Sequence, residues 1–257
     1  MYITILQIFS SILYNILLVY CKNNKIISYY QIKFCFLTFF IYLYIKKIYF
    51  MESKLRKEDE KCSDIVSSAL NHMFYSNTKD FERIFDFDRQ VKGVDTIFKL
   101  KDKTYVCDEK AAIRYVNKHL NTFSLELFFV NRKNQMNVGW LLDDKKINNS
   151  FLFVWIDKAD NDILQSENDI KEMEIALVCK EQIIAFLDKL GWNKETLFKK
   201  CQKIISNENE YLGNIFNDKC KFSYSKKLVE KPINILISRN DLKKISDFNI
   251  KFVVKNG

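Results

Sequence analysis

The sequence predicts one α/β domain over residues 51–257, built on a mixed central sheet with helices beside it. An amphipathic helix near the start of this region is followed at once by closely spaced short strands. In the later half, strands alternate with helices, and no internal repeat or low-complexity linker divides the region. Hydrophobic residues make up 48% of the chain, which is ample for a packed core.

Hydrophobic spacing sets the predicted elements, and Gly, Asn, Asp and Lys set the turns between them. Residues 53–75 form the first helix, because apolar residues recur there every three to four positions. The predicted strands cover residues 94–100, 104–111, 122–131, 139–142, 151–157, 173–179, 233–237 and 249–254. The later helices cover residues 181–190, 194–205 and 240–245, while residues 77–89, 134–138 and 143–150 are connecting loops. Residues 77–89 are expected to hold a helical turn.

Charge is unevenly distributed along the chain. The formal net charge is +9, but residues 1–50 hold five lysines and no acid. Without those lysines, 36 basic and 32 acidic residues remain, a net charge of +4. A mild positive balance permits nucleic-acid binding without requiring it.

The cysteines and histidines exclude two classes of site. Seven cysteines are spread along the chain without a C-x-x-C pair, and neither His72 nor His119 lies near a cysteine cluster. This pattern argues against a zinc site and against a disulfide framework. Reduced thiols in an intracellular protein are expected.

Residues 1–50 differ in composition and form a separate hydrophobic extension. Residues 3–20 and 34–45 are apolar runs, and a membrane-spanning helix needs about 20 residues. A membrane hairpin is one interpretation; translated AT-rich DNA ahead of a start at Met51 is the other. A cleaved signal peptide fits less well, because no basic segment precedes the first run. A cytoplasmic protein is expected, membrane-associated if residues 1–50 are translated.

Acidic residues and a lysine fall on two adjacent predicted strands. Because side chains alternate across a strand, Asp108 and Lys110 share one face and Glu109 lies on the other. A hairpin would bring Asp95 beside Asp108, since paired strands lie about 4.8 Å apart. Two carboxylates that close repel each other unless a cation lies between them. Mg²⁺ or Mn²⁺ suits such a donor set, and Lys110 could orient a water molecule or stabilise charge on a phosphate.

The segment Gly93-Val94-Asp95, a hairpin, and then Asp108-Glu109-Lys110 resembles the motif of the PD-(D/E)XK nuclease superfamily. The resemblance implies a restriction-endonuclease-like fold and Mg²⁺-dependent hydrolysis of DNA. Asp95 and Asp108 would bind the metal, Lys110 would position the attacking water, and the Glu109 carbonyl would face the metal. The Glu109 side chain would then be dispensable. Val94 replaces the family's proline, and Gln90 resembles a glutamine that often precedes this motif.

Other interpretations remain open at this point. Acids beside a lysine on a strand also occur at exposed sheet edges as cross-strand ion pairs. A catalytically inactive nucleic-acid-binding or interaction domain on the same fold is the alternative function. Glu126 could be a further metal-binding or water-orienting carboxylate, and Trp140 a stacking platform or a core residue. Four lysines of one helix could contact a phosphate backbone or form a solvated face: Lys194, Lys199, Lys200 and Lys203.

Overall fold

A computed structural model describes residues 56–131, 133–206, 215–217, 220–226, 228 and 230–254 of the chain. The chain divides into two units, Met1–Glu60 and Lys61–Gly257. Residues 56–60 are the described part of the first unit and are helical. The apolar runs of residues 1–50 lie outside the described residues. In the described part of the chain, no helix has the length and hydropathy that a membrane span requires.

The second unit contains the predicted mixture of helices and strands. Helix α1 covers residues 61–73 of this unit. The other helices are α2 Phe87–Val91, α3 Lys180–Lys189, α4 Lys194–Ser206 and α5 Arg239–Lys244. The first strands are β1 Lys79–Arg83, β2 Thr96–Leu100, β3 Lys103–Ala111, β4 Thr122–Val130, β5 Met136–Val138 and β6 Ser150–Ala159. The later strands are β7 Ile170–Cys179, β8 Ile215–Asn217, β9 Cys220–Tyr224, β10 Ile233–Ser238 and β11 Phe248–Val253.

Six strands form a mixed sheet in the order β1-β2-β3-β6-β7-β11. Its neighbouring strands are antiparallel except β3 and β6, which run parallel. The β2–β3 hairpin closes through Lys101 and Asp102, both with positive φ (49° and 62°), as a tight two-residue hairpin turn requires. The mixed sheet predicted from the sequence is therefore confirmed.

A second, antiparallel sheet has the strand order β5-β4-β10-β9-β8. Strand β4, predicted over residues 122–131, forms as expected but pairs with β5 and β10 rather than with the β2–β3 hairpin. The long connection from β3 to β6 thus contributes two strands to this second sheet. The sequence pattern did not indicate two sheets, because alternation fixes the faces of a strand and not its neighbours.

Two apolar clusters cover opposite faces of the mixed sheet. One packs helix α1 against residues such as Phe98, Cys107 and Leu152. The other joins Phe151, Phe153 and Trp155 of β6 to the second sheet and to helices α3 and α4. Side chains of β3 that point to this second face, Asp108 and Lys110 among them, therefore face the second sheet.

Three predictions of local structure are wrong. Residues 79–83 form strand β1, where a loop with a helical turn was expected. Residues 136–138, expected in a loop, form strand β5. Residues 139–142, predicted as extended, form a turn.

Candidate functional site

The β2–β3 hairpin places Asp95 opposite Asp108. Thr96 pairs with Cys107, and the Asp95 N–H donates to the Cys107 carbonyl at 2.9 Å, so the next pair across the hairpin is Asp95 and Asp108. The charge of Asp108 acts on Asp95 across this pair, and the Glu109 N–H donates to Asp95 Oδ2 at 2.7 Å. The Lys110 Nζ lies 2.7 Å from Asp108 Oδ1. The hairpin therefore brings the three predicted residues to one place on the sheet.

Burial makes this pair of carboxylates electrostatically costly. Asp108 is only 6% exposed. Burial, and then the neighbouring charge of Asp108, raise the pKa of Asp95 to about 6, while the Glu109 N–H and Lys110 act in the opposite direction. Asp95 therefore holds its proton more tightly than a free aspartate does.

The Glu109 side chain lies on the opposite face, as strand alternation predicts. Its carboxylate accepts two hydrogen bonds from the Arg83 guanidinium, at 3.0 and 3.1 Å, and one from the Tyr75 hydroxyl at 2.7 Å. Arg83 also donates to Asn71 of helix α1 at 2.9 Å. This buried network ties helix α1 to strands β1 and β3. No sequence pattern indicated Arg83, because residues 79–83 lack an apolar run.

The turn at Gly139 and Trp140 covers the other side of Lys110. The Lys110 Nζ lies 4.9 Å from the centre of the Trp140 ring, within the range of a cation–π interaction. The backbone N–H of Trp140 donates to the Glu126 carboxylate. Burial raises the pKa of Glu126, while the charges of Lys110 and Lys146 lower it. Glu126 therefore interacts electrostatically with Lys110. Its role as a metal ligand stays a prediction.

Replacement of Gly139 by alanine should destabilise this turn. A Cβ at Gly139 would lie 2.7 Å from both Cγ and the carbonyl oxygen of Glu126, closer than packed atoms tolerate. We expect the free energy of unfolding to fall by about 1–3 kcal/mol, the usual range for overpacking. Urea denaturation measures it, with Val138→Ala as the control, since Val138 is 41% exposed. An unchanged midpoint for Gly139→Ala would show that the turn rearranges freely.

A second glycine fixes the turn that leads into Asp95. Gly93 has a φ of +81°, a conformation that favours glycine, and a Cβ there would lie 2.8 Å from Asn148 Oδ1. Asn148 is buried, and its Oδ1 lacks a hydrogen-bond partner among the described residues. The motif in the sequence includes Gly93, whereas no pattern indicated Asn148.

The remaining sequence candidates have structural contacts. The Gln90 side chain donates to the Ile84 carbonyl at 2.9 Å and so supports the turn before β2. Lys194 forms an ion pair with Asp144 at 2.7 Å, and Lys199 pairs with Glu195 on its own helix. These contacts are typical of a solvated helix face.

The donors available for a metal are few. Among the described residues, no group of three or more His, Cys, Asp or Glu side chains could hold a metal ion. Asp95 and Asp108 provide two carboxylates, and the Glu109 carbonyl points to the same side as its N–H, towards Asp95. This set fits Mg²⁺, which proteins bind through one or two carboxylates with several waters retained. No protein-family model, curated protein or solved structure matches the chain.

Proposed function

We propose that this protein is a Mg²⁺- or Mn²⁺-dependent nuclease that hydrolyses DNA phosphodiester bonds. The observation that carries the proposal is the position of Asp95 opposite Asp108 across the β2–β3 hairpin, with the Lys110 Nζ 2.7 Å from Asp108 Oδ1. Two partly buried carboxylates opposite each other favour a divalent cation. A lysine beside them can stabilise the negative charge that develops in phosphodiester hydrolysis.

Each side chain has a distinct task in this proposal. Asp95 and Asp108 would hold the metal, which when bound would lower the pKa of a water and offset charge on the phosphate. Lys110 orients that water or stabilises the developing negative charge. The Trp140 ring limits the positions that the Lys110 ammonium can reach. The Glu109 N–H fixes the orientation of the Asp95 carboxylate.

The order of elements supports a restriction-endonuclease-like core. Helix α1 precedes three antiparallel strands, and an acid stands directly before β2, with acid-x-Lys on β3. Strand β6 then extends the sheet parallel to β3. The departure is the second sheet, because β4 and β5 occupy the connection between β3 and β6. The likeness is therefore proposed for the first half of the unit.

Metal-dependent cleavage tests the proposal directly. We expect the full chain to cut plasmid and single-stranded DNA with Mg²⁺ or Mn²⁺, and EDTA to stop it. Asp108→Asn and Lys110→Ala should lower the rate by about 10²–10³-fold or more, the scale of losing a group that stabilises transition-state charge. Lys99→Ala is the control, because Lys99 lies on the same hairpin and pairs with exposed Asp80. Equal cutting by all variants would contradict the proposed site.

A catalytically inactive nucleic-acid-binding domain is the second candidate. The observation that favours it is the ion pair between Lys110 and Asp108, which already neutralises one of the two acids. Binding of DNA that does not depend on metal, without cleavage under any metal, would support this function instead.

A further inference from the structure

Four large apolar side chains are exposed together beside the candidate site. Phe85 is 83% exposed, Phe87 75%, Val91 53% and Ile147 56%. We name these four residues the apolar rim. Folded monomers keep such clusters small, and an exposed cluster commonly marks a binding surface.

Hydrogen bonds link the segments that carry the apolar rim to one another and to the backbone of Asp95. The Ile84 N–H, directly before Phe85, donates to the Asp95 carbonyl at 2.8 Å. The Ile147 N–H donates to the Lys92 carbonyl at 3.0 Å. The Lys146 Nζ donates to the Val91 carbonyl at 2.6 Å. The segments of the rim therefore lie together, next to the backbone of Asp95.

Two lysines in this region donate hydrogen bonds to the backbone rather than to a carboxylate. Lys146 and Lys180 each donate to a backbone carbonyl, and neither forms an ion pair within the described part of the chain. Burial lowers the pKa of Lys180, while the nearby carboxylates raise it.

Most acids of the same region are already engaged. Asp86 caps helix α2, Glu82 pairs with Arg89, and Asp144 pairs with Lys194. Nearby carboxylates act on the charge of Lys180, but none of the described ones forms an ion pair with either lysine. Both side chains can therefore contact an anionic ligand. Their position beside an apolar surface suits a ligand that has both flat apolar faces and negative charge.

We infer that the apolar rim and these two lysines bind single-stranded DNA, which makes unpaired DNA the substrate class. This inference rests on the proposed nuclease function. Bases stack on the rings of Phe85 and Phe87, and Lys146 and Lys180 contact phosphates. In a duplex the base faces are stacked on each other, so exposed phenylalanines gain little from it. The combination of rings that can stack on bases with lysines that can contact phosphates favours a single strand over a purely apolar partner.

Binding in EDTA separates this inference from catalysis. Fluorescence anisotropy with labelled oligo(dT) and with a duplex of the same length measures the affinity of the full chain. The double variant Phe85→Ala/Phe87→Ala should bind oligo(dT) at least about 30-fold more weakly, since it removes two stacking contacts and stacking contributes about 1–3 kcal/mol per base. Its duplex affinity should stay within about twofold. Lys146→Ala should weaken both and reduce the dependence on salt.

Two further variants make the result decisive. Phe85→Leu/Phe87→Leu keeps the apolar surface but removes the rings, and should bind oligo(dT) as weakly as the alanine variant. Ile163→Ala is the control, because Ile163 is an apolar residue 50% exposed outside the rim, and it should bind like the wild type.

Several outcomes would overturn the inference. These are wild-type affinity of the double variants for oligo(dT), an equal loss for duplex and single strand, or no binding of oligo(dT) by the wild type. Loss of self-association or of anionic vesicle binding, without loss of oligo(dT) affinity, would assign the rim to a protein or a membrane. A chain that binds oligo(dT) through the rim but cuts no DNA would refute the nuclease function alone.

Discussion

Replacement of Glu109 by alanine should lower the free energy of unfolding by about 3–5 kcal/mol, the cost of breaking a buried ion pair. The side chains of Arg83 and Glu109 are only 14% and 10% exposed. Without the carboxylate, the Arg83 guanidinium is left buried without its charge partner, and the Tyr75 hydroxyl loses an acceptor. The side chain in the middle of Asp108-Glu109-Lys110 is thus needed for the fold, even where it is dispensable at the metal.

Urea denaturation followed by circular dichroism measures this loss. Glu82→Ala is the matched control, because Glu82 and Arg89 form a pair whose side chains are 57% and 39% exposed. Such a surface pair contributes at most about 1 kcal/mol. The double variant Arg83→Met/Glu109→Leu should recover most of the stability, since it removes both charges together. A Glu109→Ala protein as stable as the control would disprove the role of this network.

Replacement of Asp95 by asparagine should have two opposite effects. Without a divalent cation it should stabilise the protein above pH 6, and it should remove the stabilisation that Mg²⁺ or Mn²⁺ provides. The folded-state pKa of Asp95, about 6, lies above the usual 3.8. In metal-free wild type the stability from this group is therefore greatest below pH 3.8 and falls as the pH rises through 6. The full difference corresponds to at most about 3 kcal/mol.

Thermal unfolding at pH 5 and pH 7.5, in EDTA and in Mn²⁺, tests both effects. The wild type should lose stability between these pH values in EDTA and regain it with Mn²⁺ at pH 7.5. Asp95→Asn should show neither change. Asp102→Asn is the control, because Asp102 lies in the turn of the same hairpin and should behave like the wild type. Equal stabilisation of Asp95→Asn by Mn²⁺ would place the metal elsewhere.

The parts of the structure that depend on local sequence could be predicted. Helix α1 follows from its apolar period, and the β2–β3 hairpin from two strand patterns around a polar turn. Asp95, Asp108 and Lys110 all lie on this hairpin, so strand alternation alone brought them together. These three residues of the site could be predicted because they lie close together in the sequence.

What the sequence did not indicate depends on contacts between distant segments. Strand β1 reads Lys-Asp-Phe-Glu-Arg. Among the described strands it pairs with β2 alone, so it forms an edge of this sheet with few apolar residues. The contact between Trp140 and Lys110 requires the second sheet, and no local pattern indicated that sheet. Periodicity cannot select pairing partners, and the second sheet consists of such pairings.

The position of β10 has a consequence for the order in which the protein can assemble during its synthesis. Strand β10 lies between β4 and β9, in the middle of the second sheet, yet it comes late in the chain. The β2–β3 hairpin leaves the ribosome much earlier, and domains fold as synthesis proceeds. A nascent chain can therefore bring Asp95, Asp108 and Lys110 together before β4 has its partner. The sheet that carries Glu126 is completed only when residues 233–238 have emerged.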